Sequence, residues 1–308
     1  MKTDELTGKL NKYIERREIL NNLAKSTIKN YNTSNKLFIS YLISNNINDI
    51  NNDNINNILE NYMIYLKKEK TNSYSSINKY LQHIILFLNT LELAINIQLP
   101  KDNSKNKKIK YLKPEEIQEV INSIPKDNIR DRTIIQTLYR TGLRVSELAN
   151  LTKQNIDLNA TEKTIVIDVK DGKGGKDRTV YIDHDTLKLI NNMIYKRTRK
   201  GKEDKNDYLF IARTGNQLQT RDIERIVKKY AIATDKRLAK DGIKSNHENK
   251  LTPHTLRHSY TIYLLNVAKR PINEVQELLG HTNITTTQIY SKVDNETIKK
   301  GYDKIEWD

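Results

Sequence analysis

The sequence predicts a mostly α-helical chain with one small β-sheet, arranged as a helical bundle followed by a mixed α+β unit. Three observations carry this. Between residues 28 and 88 apolar side chains recur in steps of three and four, the spacing of a helix face. From Lys163 to Ile182 the pattern switches to alternation on both sides of Gly172-Lys173-Gly174-Gly175, as in a β-hairpin. A polar stretch that opens at Pro100 separates the bundle from the rest.

In the bundle, Ile28, Tyr31, Phe38, Tyr41 and Leu42 fit one face, with Ser26 or Thr27 as the N-cap. Ile55, Ile58, Leu59, Tyr62, Met63 and Leu66 make a second stripe. Ile77, Tyr80, Leu81, Ile84, Ile85 and Leu88 make a third, after a polar start at Thr71–Ser76. With a shorter helix near residues 10–20, these form a small all-helical domain over 1–100. Residues 101–113 carry six lysines and one aspartate without an apolar period, and read as a basic linker. Such a linker either lies along a polyanion or is a solvated tether.

In the second part Pro114-Glu115-Glu116 starts a helix, because proline suits the first turn and acids suit the positive end of the helix dipole. Ile134, Ile135, Leu138 and Tyr139 mark another, ending near Gly142. After the hairpin, helical patterns cover about 185–199 and 220–233. Asp235 to Lys250 is charged and reads as an exposed insertion. Helices then follow from Thr255 to about Val267, from Ile272 to Leu279, and around Tyr290.

Composition narrows the function classes. The 308 residues are 36% hydrophobic, enough for a real core, and carry a net charge of +15. Residues 1–100 hold 12 Lys and Arg against 9 Asp and Glu, so most of the excess lies in the second part. A basic surface of this size favours polyanions such as nucleic acid, or an anionic membrane surface. The longest apolar run, Ile84 to Leu88, is far too short to span a bilayer, and the charged N-terminus does not resemble a secretory signal. There is no cysteine, which excludes disulfides, thiolate chemistry and cysteine-based zinc sites. The expectation is a cytoplasmic protein.

Four elements carry candidate chemistry. In Thr141-Gly142-Leu143-Arg144-Val145-Ser146-Glu147 an arginine follows a glycine turn where a helix begins. Backbone N–H groups at a helix start and a guanidinium together favour an anion such as phosphate. Alternatively, Arg144 is a surface residue paired with Glu147. The hairpin tip, Gly172 to Arg178, is glycine-rich and basic, either a phosphate contact or an ordinary turn. It is not a Walker A loop. In His254-Thr255-Leu256-Arg257-His258, His254 and Arg257 share a helix face. A zinc helix would need glutamate at 255, where threonine stands. In Leu279-Gly280-His281, Gly280 reads as a helix C-cap that leaves His281 on a loop, and Tyr290 follows nine residues later.

In this order the four elements resemble the catalytic domain of the tyrosine recombinases, most closely Xer-type proteins and related integrases. The likeness covers about residues 111–293, and residues 1–100 resemble the family's SAM-like, core-binding helical domain more loosely. It implies a catalytic domain over 114–293 and a C-terminal tail over 294–308. It implies an active-site set of Arg144, Lys173, His254, Arg257, His281 and the nucleophile Tyr290, with Glu147 orienting Arg144. Lys176 is the rival to Lys173, because the hairpin here reads Gly-Lys-Gly-Gly-Lys-Asp-Arg where Xer-like chains commonly have Asn and Glu at its fourth and sixth positions. The long 235–250 segment departs from compact Xer proteins and leaves the subfamily open.

The implied activity is site-specific recombination through a 3′-phosphotyrosine, in chromosome dimer resolution or in integration and excision of a mobile element. Two arginines would clamp the phosphate oxygens, Lys173 would protonate the leaving 5′-oxygen, His254 would serve as base and His281 would add a hydrogen bond. No cofactor or metal is implied. The partner is double-stranded DNA with a specific site, bound by four protomers as two dimers. The tail, with Val293, Ile298, Tyr302, Ile305 and Trp307, would dock on a neighbour or on its own domain. Two alternatives are a type IB topoisomerase-like relaxing activity and a DNA-binding regulator that does not cut.

Overall fold

The computed structural model describes residues 1–21, 23, 25–101, 109–159, 161, 164–169, 178–198 and 206–280, with only the backbone described at 164–166 and 198. Lys173, Lys176, His281 and Tyr290 therefore lie outside the described residues. So do the hairpin turn, most of the linker, the helix expected around Tyr290 and the tail. The chain divides into two compact units, Met1–Lys107 and Lys108–Asp308.

The first unit is built from α1 (Leu6–Asn21), α2 (Lys25–Ser44), α3 (Ile55–Lys68) and α4 (Tyr74–Asn89). The period-3.6 stripes are its core: Phe38 and Leu42 from α2, Leu59, Tyr62 and Leu66 from α3, and Ile77, Leu81, Ile84 and Leu88 from α4 are all buried. Leu6, Leu10 and Tyr13 of α1 join them. The first helix is longer than the 10–20 stretch expected. The second begins at Lys25, which puts Ser26 and Thr27 inside its first turn rather than at its cap. On α4 the stripe turns slightly: Phe87 is buried, whereas Ile85 is only partly covered. Ser73 caps α4, its hydroxyl accepting from the Ser76 N–H at 3.2 Å.

The second unit holds α5 (Pro114–Asn122), α6 (Ile129–Thr141), α7 (Val145–Asn150), β1 (Thr164–Val169), β2 (Arg178–Asp183), α8 (His184–Thr198), α9 (Thr220–Lys240), α10 (His247–Lys250), α11 (Pro253–Ile262) and α12 (Ile272–Leu279). The two strands pair antiparallel, from Thr164 opposite Asp183 to Val169 opposite Arg178. Ile167, Val180 and Ile182 of the sheet are buried in one cluster with Ile134 and Leu138 of α6, Ile190 of α8 and Val227 of α9. The fold is thus mostly helical with one small sheet, as the sequence predicts.

Two details correct the sequence reading. Helix α9 runs on to Lys240, past the 220–233 stretch expected, and the segment after it is mostly exposed, as the sequence predicts, but tied down at one point. Asp235 anchors it by accepting from Ser245 Oγ at 2.6 Å, the His247 N–H at 2.9 Å and the Glu248 N–H at 2.8 Å, and His247 is buried. Burial would raise the Asp235 carboxyl, but these hydrogen bonds outweigh it and hold the group at about 2. The helix expected to run to Val267 is regular only to Ile262 and then widens into a π-turn over Tyr263–Val267.

Candidate active site

The site is assembled from two glycine turns and the first turn of α11. Helix α6 ends because Gly142 takes the left-handed conformation (φ +61°), where a side chain would also meet Tyr260 Cδ1 at 2.5 Å. Arg144 then sits in extended backbone as the N-cap of α7. Glu147, at the third position of that helix, reaches back and accepts from the Arg144 N–H at 2.7 Å. The same carboxylate takes the Arg144 guanidinium at 2.7 Å.

Helix α12 ends in the same way, at Gly280 (φ +61°). Its last carbonyls, left without intrahelical donors, are taken by three arginines from three other elements. Leu278 O accepts from Arg178 Nε at 3.1 Å, Leu279 O from Arg257 Nη2, and Gly280 O from Arg144 Nη2 at 3.3 Å. Arg257 Nη1 also donates to Gly142 O, so one side chain ties both glycine turns together. The negative end of α12 is a favourable place to gather cations.

Arg257 is reached through α11, whose start is set by Pro253 and by the Thr252 hydroxyl accepting from the Thr255 N–H. Arg257 is 4% exposed, whereas the Arg144 side chain keeps 25%. His254, one turn before Arg257, lies at the surface. Partial burial, then the charges of Arg257 and Arg144, lower its pKa. The three groups are therefore within electrostatic reach of one another. His254 packs edge-on against His258, with ring centroids 4.0 Å apart. Among the described residues no group of three His, Cys, Asp or Glu side chains is arranged to hold a metal ion.

Of the seven sequence-predicted residues, the structure brings Arg144, Glu147, His254 and Arg257 together. Lys173, His281 and Tyr290 lie outside the described residues; β2 begins, and α12 ends, beside this cluster. Sequence reasoning missed Arg178. Its guanidinium donates to Glu147 Oε1 at 2.9 Å and Oε2 at 2.7 Å, and its side chain is 8% exposed. The sequence signal was its place as the last residue of the Gly-Lys-Gly-Gly-Lys-Asp-Arg hairpin motif, to which no role was given.

A family model described as the phage integrase family matches residues 110–297. The chain belongs to the phage integrase family. Among its relatives, the tyrosine recombinase XerA of Pyrococcus furiosus is 36% identical over 251 residues, 78% of either chain. The fold is shared with the Tn1549 transposon integrase solved in complex with transposon right-end DNA, at TM-score 0.72 and 18% identity over 99% of each chain. It is shared also with the XerH site-specific recombinase bound to its palindromic difH substrate, at TM-score 0.69 and 22% identity over 96% of this chain and 83% of that one. This chain is accordingly a tyrosine site-specific recombinase, an enzyme that breaks and rejoins DNA. Family and relatives favour strand exchange over the topoisomerase-like and non-cutting readings. Among the described residues no helix is long and apolar enough to cross a membrane.

Proposed function

We propose that the phenol oxygen of Tyr290 attacks the scissile phosphorus of a specific site in duplex DNA. A bond from that oxygen to phosphorus forms and the bond to the 5′-oxygen breaks. His254 takes the phenol proton, Lys173 gives one to the leaving 5′-oxygen, and the 3′ end stays on the enzyme as a phosphotyrosine ester. The 5′-hydroxyl of another strand then displaces the tyrosine, so one phosphate ester replaces another throughout and no ATP is consumed.

The observation that carries the reading is the fixed pair of guanidiniums, Arg144 and Arg257, at the end of α12 with His254 in electrostatic reach. Charge that builds on the non-bridging oxygens is met by donors already oriented, which is the most effective form of transition-state stabilisation. A histidine whose proton affinity is lowered is neutral near pH 7 and so able to accept the phenol proton. His281, directly after the Gly280 turn, would add a hydrogen bond to the same phosphate.

The remaining roles follow the family plan. Residues 1–100 serve as the core-binding domain, 101–113 as the basic linker, 114–293 as the catalytic domain. Four protomers, as two dimers, act on two DNA sites with the 294–308 tail exchanged between neighbours, in the cytoplasm on DNA. Phosphate contacts by the basic chain make binding fall steeply with salt. The test uses a library of nicked duplexes with a randomised core, in which the cleaved fragment diffuses away and traps the ester. The wild type yields a covalent protein–DNA adduct stable to detergent, and Tyr290→Phe yields none. A wild type that forms no adduct with any member, or a Tyr290→Phe variant that still forms one, overturns the proposal.

A further inference from the structure

We infer that Arg178 is a positioning residue for strand cleavage, holding the Glu147 carboxylate that in turn holds Arg144. This rests on the reading of the site just given. Arg178 opens β2, directly after the hairpin that carries Lys173. Its fork meets both oxygens of Glu147, at 2.9 and 2.7 Å, and its Nε reaches Leu278 O at 3.1 Å. One side chain therefore clamps three pieces of the site: the base of the hairpin, the start of α7 and the end of α12.

The geometry leaves Glu147 little freedom. Its two oxygens accept four donors, the Arg144 N–H, Arg144 Nη1, and Arg178 Nη1 and Nη2. Without Arg178, the carboxylate would keep only Arg144. It could then turn about its own torsions and carry the Arg144 guanidinium with it. Lysine cannot replace the clamp, because one ammonium cannot present two parallel N–H groups to a carboxylate and a third to a carbonyl. The packing is specific as well. A side chain at Gly280 would meet Arg178 Cδ at 2.8 Å, so the α12 turn and the Arg178 stem are fitted to each other.

A second consequence separates positioning from mere support. Burial would raise the Glu147 carboxyl; the hydrogen bonds from Arg178 and from the Arg144 backbone, then the Arg178 charge and the Arg144 guanidinium, outweigh it and hold the group at about 2. The charged groups paired with it are Arg144, the N-cap of α7, and Arg178 from β2, and toward α12 these two guanidiniums meet carbonyls rather than acids. Loss of Arg178 therefore leaves a buried carboxyl that protonates at higher pH. Protonated, it accepts less well from Arg144, so cleavage fails at the acid end of the range sooner than in the wild type.

The experiment measures the rate of adduct formation on a nicked duplex selected with the wild type, across pH, for Arg178→Met, Arg178→Lys and Glu147→Gln in the full chain. The expected result is cleavage by Arg178→Met slower on the order of 100-fold, the scale of a misplaced catalytic group. DNA affinity changes little and the acid limb of the rate profile moves upward. Arg178→Lys recovers only part of the rate, and adding Glu147→Gln to Arg178→Met costs little more. If Arg178→Met does not fold, the acid limb and rate of Arg178→Lys decide alone. Cleavage within about threefold of wild type, or a slower rate with an unmoved acid limb, overturns the inference while adduct formation by the wild type leaves the site reading standing. If the wild type forms no adduct, the site reading fails and this inference fails with it.

Discussion

In the helical unit the polar side chains lost to solvent are neutral: Thr3, Ser34 and Asn35. In the second unit they include the ionisable groups of Asp131, Glu147, His247 and Arg257. The neutral set makes uncharged hydrogen bonds, Ser34 with His83 Nδ1 at 2.8 Å and Asn35 Nδ2 donating to the Tyr31 carbonyl at 2.9 Å. Such bonds contribute about 1 kcal/mol each and place few demands on their surroundings. A buried ion costs several kcal/mol in lost hydration unless it is paired and hydrogen-bonded. The second unit meets that requirement twice. Asp131 accepts from Asn128, Arg130 and the Tyr230 hydroxyl, which joins α6 to α9. Glu147 accepts from Arg144 and Arg178, which joins α7 to β2. Packing alone would be served as well by apolar residues. The contrast teaches that the second unit keeps costly internal charge to tie its elements together, and at Glu147 to aim a guanidinium, whereas the first unit keeps none among its described residues.

The largest expected effect comes from breaking the Glu147 cluster. Glu147→Ala leaves the Arg178 guanidinium buried without a carboxylate, at a cost of about 3–5 kcal/mol. Hydrogen exchange on the full chain reads this by region. Amides of α6, α7 and β2 should exchange faster, and those of α3 and α4 should keep their protection. Equal acceleration in α3 and α4 would break the comparison, because the two cores would then share one stability.

Acid sharpens the same contrast with a smaller effect. Glu147 and Asp235 are both held at about 2, below the roughly 4 of an unfolded carboxyl. Groups depressed in this way contribute stability that is complete above the unfolded value and is lost as pH falls toward the folded one. Both lie in the second unit. Between about pH 4.5 and 2 the urea midpoint of that unit should drop, and Glu147→Ala should flatten the drop. A second-unit midpoint unchanged across that window would show that neither carboxylate supports the fold.

What was legible in the sequence follows from range. The stripes at residues 55–66 and 77–88 were readable because a helix face is set by neighbours three and four apart. Gly142 and Gly280 were readable as helix ends because a left-handed turn favours the residue without a Cβ. Arg144, Glu147, His254 and Arg257 stood out in local motifs and took their roles from the resemblance; the structure adds that Arg144 and Arg257 meet at one helix end, with Glu147 holding Arg144 and His254 in electrostatic reach. Arg178 was visible as the last residue of the hairpin motif, but its role was not legible. Its partners lie 31 and 100 residues away, and no local pattern reports a contact of that range. The 235–250 segment was legible as mostly exposed, but its anchor was not. Asp235 accepts from N–H and hydroxyl groups ten to thirteen residues on, again beyond any local pattern.

The smallest effect tests the neutral side of the comparison. Ser73 is exposed and its hydroxyl accepts from the Ser76 N–H at 3.2 Å, capping α4. Ser73→Ala should cost about 1 kcal/mol, confined to the first unit, because it removes one uncharged bond and strands no buried ion. Ser73→Asp should restore the loss, since a carboxylate caps as well and favours the positive end of the dipole. The readout is again exchange at α4 amides against α6 amides. If Ser73→Ala weakened the chain as much as Glu147→Ala, charge would not be what separates the units. The difference would then come from how tightly each helix end is tied to its own core.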